Sequence, residues 1–323
     1  MECRVLRLLK KSTAVKGRVG LAFGPSEVAV AVMRRDSGAP VLERCEILPV
    51  DPAGGAGAIA AVIRAAGLPR MPVSTVLRSD DYQLALVEAP DVPPAELRAA
   101  MRWRLKEAID FRVEDAVIDV FDVPDQNRGG HGRMMYAVAA RRSAVDRHAG
   151  AVVGVATLDV VDVPELCLRN LAALLPGAAA GVALLYLGET ALSIVLVRGR
   201  TFYFARQMAP QTPPRPTGHP GGHSGSLPGP TAPEIESVVL ELQRSLDYYE
   251  RHFDQPPITR IAVSPAGTRA SELARELGRD TGFEVATLDL NLLLHCATPV
   301  AACAQAGCLL AVGAALREEH RSL

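Results

Sequence analysis

This chain of 323 residues contains few aromatic residues and has almost no net charge. Phe, Trp and Tyr together make up 4% of the residues, and the formal net charge is −1. Binding nucleic acid through bulk charge and base stacking needs an excess of Lys and Arg and several exposed rings. The composition therefore argues against a nucleic-acid partner. A hydrophobic content of 49% is enough for a sizeable core.

The cysteines lack the spacing of a metal or redox motif. No two of them form a CxxC pair, and the six lie at Cys3, Cys45, Cys167, Cys296, Cys303 and Cys308. Scattered cysteines of this kind are typical of buried, reduced thiols in a cytosolic protein. We favour that interpretation over a disulfide framework or a zinc site, and we expect no bound metal.

Long apolar runs are also missing. The nearest candidate, 171–197, is interrupted by Pro176, three glycines and Glu189, which predicts a helix end followed by two strands and no transmembrane segment. Features of a signal peptide are not found either. We predict that residues 1–16 form an N-terminal tail. Its alternating basic and apolar residues suit either a solvated segment or peripheral contact with an anionic membrane surface.

Two segments far apart in the chain share one pattern. Residues 20–30 and 184–194 each read as an apolar strand, a tight turn on a glycine with a hydroxyl residue two positions later, and a second apolar strand. Turns of this kind present backbone N–H groups to phosphates. Each segment begins a similar α/β half, which predicts an internal duplication with a cleft between the halves. The glycine and hydroxyl positions are Gly24, Ser26, Gly188 and Thr190.

The acids of a nucleotide clamp are absent from both hairpins. In an actin-like ATPase the residue two before the glycine is normally Asp, which serves the metal ion, but here these positions hold Ala22 and Tyr186. A third element, the predicted strand-to-helix turn 263–268, retains only Gly267, and Pro265 removes an N–H donor. We therefore expect vestigial phosphate loops, no hydrolysis and no cofactor. An ATP- and Mg²⁺-binding actin-like ATPase is the alternative.

Residues 78–141 differ from the flanking sequence and contain the only tryptophan, Trp103. They read as a strand, a helix and two strands. Trp103 lies off the apolar stripe of the predicted helix, among basic residues. The helix presents either a partner-docking face, for which an exposed tryptophan is typical, or a solvated face with Trp103 packed on the sheet. The residues concerned are Arg98, Arg102, Trp103 and Lys106.

These patterns predict an α/β protein with a bilobed, actin-like (ribonuclease H-like) fold. It would consist of two duplicated α/β halves and an inserted small α+β subdomain. The predicted organisation is a tail at 1–16, a first lobe at 17–77 completed by 299–317, the inserted subdomain at 78–141, and a second lobe at 142–298 with a mobile loop at 209–232.

Three segments resemble the MshI/PilM family, the actin-like, FtsA-related proteins of type IV pilus machines. They are 77–123, which includes Arg102-Trp103-Arg104, then 242–250, which includes Gln243-Arg244-Ser245, and 310–317. The resemblance spans roughly residues 17–317 and is strongest to the branch that serves MSHA pilus biogenesis.

The resemblance implies a non-catalytic cytoplasmic scaffold, peripheral to the inner membrane. Such proteins bind the N-terminal cytoplasmic tail of a bitopic PilN/MshJ-like inner-membrane protein and link it to the pilus motor ATPase. The tail of the partner would lie between 71–77, which includes Val73 and Thr75, and the helix at 94–111. ATP binding does not carry over, because Ala22, Tyr186 and Pro265 depart from the family's pattern. The cytoplasmic domain of a GspL-like type II secretion protein is a further alternative.

Overall fold

The computed structural model describes residues 17–35, 38–93, 96–123, 133–188, 191–208, 232–265, 267–280 and 282–318. The predicted tail and most of the predicted mobile loop lie outside these ranges. In the described part of the chain the strands are β1 (Gly17–Phe23), β2 (Glu27–Arg34), β3 (Val41–Pro49), β4 (Pro72–Val76), β5 (Tyr82–Glu88), β6 (Ala116–Asp122), β7 (Met134–Arg141), β8 (Thr157–Asp162), β9 (Val182–Leu187), β10 (Leu192–Arg198), β11 (Thr201–Met208), β12 (Arg260–Val263), β13 (Glu284–Thr287) and β14 (His295–Cys296).

The α-helices cover the sheets and connect their parallel strands. They are α1 (Gly55–Ala65), α2 (Leu97–Leu105), α3 (Arg142–Val152), α4 (Pro164–Ala172), α5 (Ala232–Phe253), α6 (Gly267–Asp280), α7 (Leu290–Leu293) and α8 (Ala302–Ala315). None of the helices that the structure describes has both the length and the apolar composition needed to cross a bilayer.

The first two sheets share a topology of five strands, to which the first sheet adds β14 at its edge. The first has the order β14–β3–β2–β1–β4–β8, and the second has the order β11–β10–β9–β12–β13. In each, three antiparallel strands form a meander, and the first of them also pairs in parallel with a strand that follows a crossover helix. The predicted duplication is therefore present, and the two predicted hairpins are β1–β2 and β9–β10.

Two helices lie between these sheets and pack against each other. Helix α8 covers β1, β2 and β3, whereas α4 contacts β9, β10 and β11. The packing is so close that glycine is required: a Cβ at Gly20 would lie 1.8 Å from the Ala311 carbonyl oxygen, and one at Gly313 would lie 2.4 Å from the Cys167 carbonyl oxygen. The segment 299–317 thus completes the first lobe, as the sequence predicts.

The opposite face of the first sheet is covered by α1 and α3. Leu21 and Val73 point into this layer and pack with Ile63 of α1 and Val152 of α3. The boundary predicted at residue 142 placed α3 and β8 in the second lobe. Since β8 pairs in parallel with β4, and α3 packs on α1, residues 142–162 belong to the first lobe instead.

The inserted subdomain is a three-stranded antiparallel sheet, β5–β7–β6, with α2 on one face. It occurs in the chain between β4 and β8, at a crossover of the first sheet. Met101 and Leu105 of α2 are fully buried against this sheet. The predicted order of strand, helix, strand and strand is present, but α2 ends at Leu105, before the end of the helix predicted at 94–111.

Candidate functional site

The first hairpin turn is closed by its own hydrogen bonds. The Gly24 N–H donates to the Glu27 carbonyl oxygen at 2.9 Å, the Ser26 carbonyl accepts from the Val50 N–H at 2.8 Å, and Pro25 has no N–H to offer. Ala22, at the position expected to hold an acid, packs in an apolar cluster between the first sheet and α8. This turn therefore presents neither a carboxylate at position 22 nor the Gly24 amide to a phosphate.

The second hairpin turn is covered by an aromatic ring. The Gly188 N–H donates to the Ala191 carbonyl oxygen at 3.0 Å. A Cβ at Gly188 would lie 2.9 Å from Cε1 of Tyr186, so the ring lies directly against the glycine. The remaining residue of the predicted loop, Thr190, lies outside the described residues.

The third predicted nucleotide element holds two strands of the second sheet together. Ser264, fully buried, accepts a hydrogen bond from the Leu187 N–H at 2.9 Å through its hydroxyl, and its own N–H donates to the Leu185 carbonyl oxygen at 2.8 Å. Pro265 lacks an N–H, and Gly267 begins α6 with a φ of 60°. These hydrogen bonds join β12 to β9, and the turn has few hydrogen-bonding groups left for a nucleotide.

The residues present do not fit a magnesium nucleotide at these loops. Both hairpin positions lack the acid, and the three turns use the amides of Gly24, Gly188 and Ser264 for their own closure. Within the described ranges, no cluster of three or more His, Cys, Asp or Glu side chains is arranged to hold a metal ion. Chemistry through ATP or Mg²⁺ finds no support in these side chains.

The exposed face of α2 has the character of a contact surface. The Trp103 side chain is 78% exposed, and the Lys106 ammonium lies 5.9 Å from the centre of its ring. Arg98 is half-exposed and forms an ion pair with Asp119 at 3.6 Å. Arg102 is bound within the subdomain, because its Nη1 donates to the Val113 carbonyl oxygen at 2.6 Å. Trp103 is thus at the surface rather than packed on the sheet.

Val73 and Thr75, which the resemblance assigned to partner binding, are fully buried. Both lie on the face of β4 that points away from α8 towards α1 and α3. Neither side chain is accessible to a partner in this structure, so these two assignments are corrected. The run Pro72–Val76 already predicts a buried strand, because it has no alternation of polar residues.

A cavity of about 630 Å³ separates the inserted subdomain from the second lobe. Its walls come from β5, the segment after α2, the end of β7, the start of α4 and β11. Polar side chains predominate in the lining. The main ones are Asp80, Gln83, Asp110, Arg141, Glu165 and Gln207. Sequence reasoning missed this site, because its residues come from five separate elements.

A buried hydrogen-bond network forms the floor of this cavity. The Tyr82 hydroxyl donates to Oε2 of Glu165 at 2.6 Å, and Nε2 of Gln207 donates to Oε1 of Glu165 at 2.7 Å. Glu165 is 1% exposed, and burial raises the pKa of its carboxyl group above the usual range. Burial likewise raises the pKa of the Tyr82 hydroxyl, with a further contribution from Glu165. The network joins the inserted subdomain, α4 and the second sheet.

An aromatic cluster strengthens the same junction. The Tyr136 hydroxyl of β7 donates to the Tyr203 carbonyl oxygen of β11 at 2.7 Å. The Tyr136 ring lies 5.2 Å from that of Phe121 and 5.0 Å from that of Phe202, centre to centre. Since edge-to-face and offset ring pairs add to the hydrophobic contribution, the subdomain is firmly docked on the edge of the second sheet.

A second cavity, of about 410 Å³, shares the lining residues Phe111 and Arg141 with the first. The Arg141 guanidinium lies 4.3 Å from the centre of the Phe111 ring and pairs with Asp110 at 3.1 Å. Asp115 and Asp146 add acidic groups. We call the two cavities together the subdomain groove. Its mixture of aromatic and charged groups suits an extended peptide.

The most specific segment of the family resemblance, 242–250, is structural. Tyr249 of α5 is fully buried against Tyr203, with ring centres 5.2 Å apart, and its hydroxyl accepts from Nε of Arg198 at 2.8 Å. Glu241 pairs with Arg206 of β11 and with Arg244. These contacts hold α5 on the second sheet.

Comparison with known proteins identifies the fold. No protein-family model and no curated protein matches the chain. A chain of the PilM-PilN type IV pilus biogenesis complex matches with a TM-score of 0.68 and 20% identity over 94% of this chain and 98% of that one. The chain has the actin-like fold. A Bacteroides thetaiotaomicron protein with an actin-like ATPase fold and unknown function matches with a TM-score of 0.50 and 7% identity, covering 89% and 95% of the two chains.

The cytoplasmic domain of EpsL, an inner-membrane component of the type II secretion system of Vibrio cholerae, is more distant. Its TM-score is 0.44 at 13% identity, over 83% of this chain and 97% of that one. The sheet topology and the matches with TM-scores of 0.50 and 0.68 confirm the expected actin-like fold, with its two duplicated halves and inserted subdomain.

Proposed function

We propose that this protein is a non-catalytic scaffold of a type IV pilus system. In this role it binds the N-terminal cytoplasmic tail of a PilN-like inner-membrane protein. The observation that carries the proposal is the likeness in fold to a chain of the PilM-PilN complex along nearly the whole length of both chains. The segments that resemble the MshI/PilM family support it from the sequence, and the MSHA branch is the proposed pilus type.

The hairpin turns favour a scaffold over an ATPase. Hydrolysis of ATP needs a metal-bound water and backbone donors that face the phosphates. Ala22 and Tyr186 supply no ligand to Mg²⁺, and the Gly24 and Gly188 amides are already used within their turns. The alternative of an ATP-binding, actin-like ATPase would require both turns to open.

We place the tail of the partner along the inserted subdomain, in the subdomain groove and on the exposed face of α2. Trp103 offers a large apolar surface on the inserted subdomain, and interface hot spots are enriched in tryptophan. Asp80, Asp115 and Asp146 outnumber the lining arginines Arg141 and Arg142, of which Arg141 is paired with Asp110, and this balance favours a basic peptide. The proposed location is cytoplasmic, peripheral to the inner membrane, and the pilus motor ATPase is a second proposed partner.

Binding of a synthetic tail peptide tests the proposal. A fluorescein-labelled peptide with the N-terminal cytoplasmic sequence of the PilN-like protein from the same organism is titrated with the purified chain, and anisotropy is recorded. We expect saturable binding, which Trp103→Ala weakens about tenfold or more. Leu292→Ala is the matched control, because Leu292 is an 88% exposed apolar side chain on α7, away from α2. The absence of saturable binding to the wild-type chain would contradict the scaffold role.

Nucleotide binding is tested separately by isothermal titration with Mg-ATP. We expect no binding heat at micromolar to millimolar nucleotide. A saturable isotherm in that range would replace the non-catalytic reading by the ATP-binding alternative, and the peptide experiment would still decide whether the chain is a scaffold.

A further inference from the structure

One edge of the inserted sheet runs along the subdomain groove. Strand β5 is an outer strand of the β5–β7–β6 sheet, and in the described part of the chain it pairs with β7 alone. The larger cavity is lined by Tyr82 and Leu84, whose side chains point to one face of β5, and also by Gln83 and Ala85, whose side chains point to the other. A cavity that touches both faces of a strand lies along its free edge.

The hydrogen bonds beyond the two ends of β5 show which backbone groups face this edge. The Arg141 N–H donates to the Asp81 carbonyl oxygen at 2.8 Å, and the Ala89 N–H donates to the Arg133 carbonyl oxygen at 2.5 Å. The register between these bonds is unbroken. Since every second residue of an antiparallel pair exchanges hydrogen bonds with its partner, the odd-numbered residues of β5 bond to β7. The even-numbered residues therefore point their N–H and C=O groups towards the groove.

Leu84 and Leu86 are the two residues in the middle of this outward-facing set. Among the residues that the structure describes, nothing donates to or accepts from their backbone N–H and C=O groups. Unpaired backbone groups along the edge of a sheet are a template for a further strand. The groove therefore contains hydrogen-bonding groups that an extended peptide can use.

The opposite edge of the same sheet is protected. Ala116 and Val120 of β6 face outwards there, because they lie opposite residues of β7 that bond to β5. The Ala116 carbonyl oxygen accepts from Nη2 of Arg142 at 3.4 Å, and the Val120 N–H donates to Oδ1 of Asp119 at 3.0 Å. Charged side chains at an edge are one way in which proteins prevent the addition of a strand. The two edges of the sheet thus differ, and the open one faces the groove.

We infer that the tail of the partner binds as an additional β-strand, paired with the free edge of β5. This inference rests on the proposed scaffold function and specifies how the groove holds the tail. In this mode of binding, main-chain hydrogen bonds supply affinity, and alternate side chains of the peptide supply specificity. The seven residues of β5 offer four outward positions, which are Tyr82, Leu84, Leu86 and Glu88.

The charges along this edge indicate the kind of segment that would pair with it. Asp80 precedes β5 and lines the cavity, and Glu88 ends the strand. Asp80 pairs with Arg78 at 3.3 Å and Glu88 pairs with Arg104 at 3.4 Å, but the four side chains are all well exposed. Exposed ion pairs contribute little to stability, so a basic side chain of the tail can replace either arginine. An extended segment with Lys or Arg near both ends therefore fits this edge.

Hydrogen exchange at single residues tests the inference. The full chain is labelled isotopically at leucine and valine, and amide exchange is recorded by NMR with and without saturating synthetic tail peptide of the PilN-like protein. In the free chain Leu84 and Leu86 should exchange much faster than Val87, whose amide bonds to β7. The peptide should slow exchange at Leu84 and Leu86 by about tenfold or more and leave Val120 of the protected edge unchanged. Leu84→Ile and Leu86→Ile variants assign the two signals.

Backbone-methylated peptides test the same hydrogen bonds from the side of the tail. Only alternate N–H groups of an added strand face its neighbour. N-methylation at alternate positions should therefore weaken binding about tenfold or more, and at the intervening positions by less than about threefold. Fluorescence anisotropy with the wild-type chain measures the whole series.

The outcomes separate this inference from the function on which it rests. Saturable binding of the unmodified peptide without slower exchange at Leu84 and Leu86 would overturn the added strand and leave the scaffold role standing. Equal effects of methylation at successive positions would do the same. If the unmodified peptide did not bind at all, both the scaffold role and the added strand would be wrong. Because exchange rates and affinities are measured on the wild-type chain, the conclusion does not depend on whether a variant folds.

Discussion

The first and second lobes have the same strand order but differ in what interrupts them. A single helix, α6, connects β12 to β13 in the second lobe, whereas the equivalent connection from β4 to β8 contains the inserted subdomain followed by α3. The exposed Trp103 and the subdomain groove both belong to this extra material. The two duplicated lobes form the framework of the fold. The inserted subdomain, which has no duplicate, carries the surface on which we place the partner.

The final helix of each half packs on the sheet of the other half. Helix α4 follows the last strand of the first half and contacts the second sheet, while α8 belongs to the second half and covers the first sheet. Each lobe is therefore incomplete without the other. The lobes share one helix layer, and their separation would expose apolar surface on both.

The closest packing between a helix of one half and the sheet of the other half should be the most sensitive to substitution. The strand position four residues before the hairpin glycine is Gly20 in β1 and Leu184 in β9. Gly20→Ala should destabilise the protein by about 3 kcal/mol or more, because its Cβ meets the Ala311 backbone. Leu184→Ala should cost about 2–5 kcal/mol through a cavity. Urea unfolding measures both.

A glycine in open surroundings is the control for this pair. Gly57 lies in α1 with open space around its Cα, so Gly57→Ala should stabilise the helix by about 0.5–1 kcal/mol. If Gly20→Ala were as harmless as Gly57→Ala, the close contact between β1 and α8 would be wrong.

Acid should loosen the first lobe before the second. His148 of α3 is 1% exposed beside Phe23, and burial lowers its pKa to about 4, with a smaller contribution from Arg147. Between its unfolded value of about 6.5 and this folded value, the unfolded chain binds the proton and the folded chain does not. Stability should therefore fall as pH falls from about 6.5 to 4, by up to roughly 3 kcal/mol.

Hydrogen exchange resolved by peptide would localise this effect. Protection should decrease in β1 and α3 before it decreases in β12 and α6. His148→Leu should remove much of the pH dependence, whereas His252→Gln, at an exposed site on α5, should not. Equal loss of protection in both lobes would contradict the assignment to His148.

The junction of the inserted subdomain should show a smaller loss. Tyr82→Phe removes the donor to Oε2 of buried Glu165, which should cost about 1–3 kcal/mol. Tyr248→Phe removes a hydroxyl from a half-buried ring of α5 and should change stability by less than about 0.5 kcal/mol. If both variants unfolded at the same urea concentration, the network would not hold the subdomain.

The smallest effect on stability is expected at the proposed contact surface. Because Trp103 is 78% exposed, Trp103→Ala should change the free energy of unfolding by less than about 0.5 kcal/mol. Normal stability together with weakened peptide binding would show that Trp103 acts in binding and not in the packing of the fold. A large loss of stability would instead show that Trp103 belongs to the packing of the subdomain.

Local sequence patterns predicted most of the frame. The two hairpins and the order of elements in the insertion follow from apolar periodicity and turn residues. The position of β8 was predicted wrongly, because a strand after an insertion can join either sheet and its sequence does not indicate which. The paired hairpins predicted the actin-like fold, and the resemblance to the MshI/PilM family agreed with it. The carry-over of partner binding to Val73 and Thr75 overlooked that the sequence of β4 predicts a buried strand.

The candidate site was harder to predict than the frame. Exposure of Trp103 follows from its position off the apolar stripe of α2. The network of Tyr82, Glu165 and Gln207 depends on three elements that only the tertiary fold brings together.

The contact between Gly20 and Ala311 also constrains how the protein is made. On the ribosome, β1 emerges first, but the helix that covers it is synthesised nearly 300 residues later. At about 5–20 residues per second, this delay is roughly 15–60 s. During that time the α8-facing side of the first sheet has no native cover, so nascent chains are a natural substrate for chaperones.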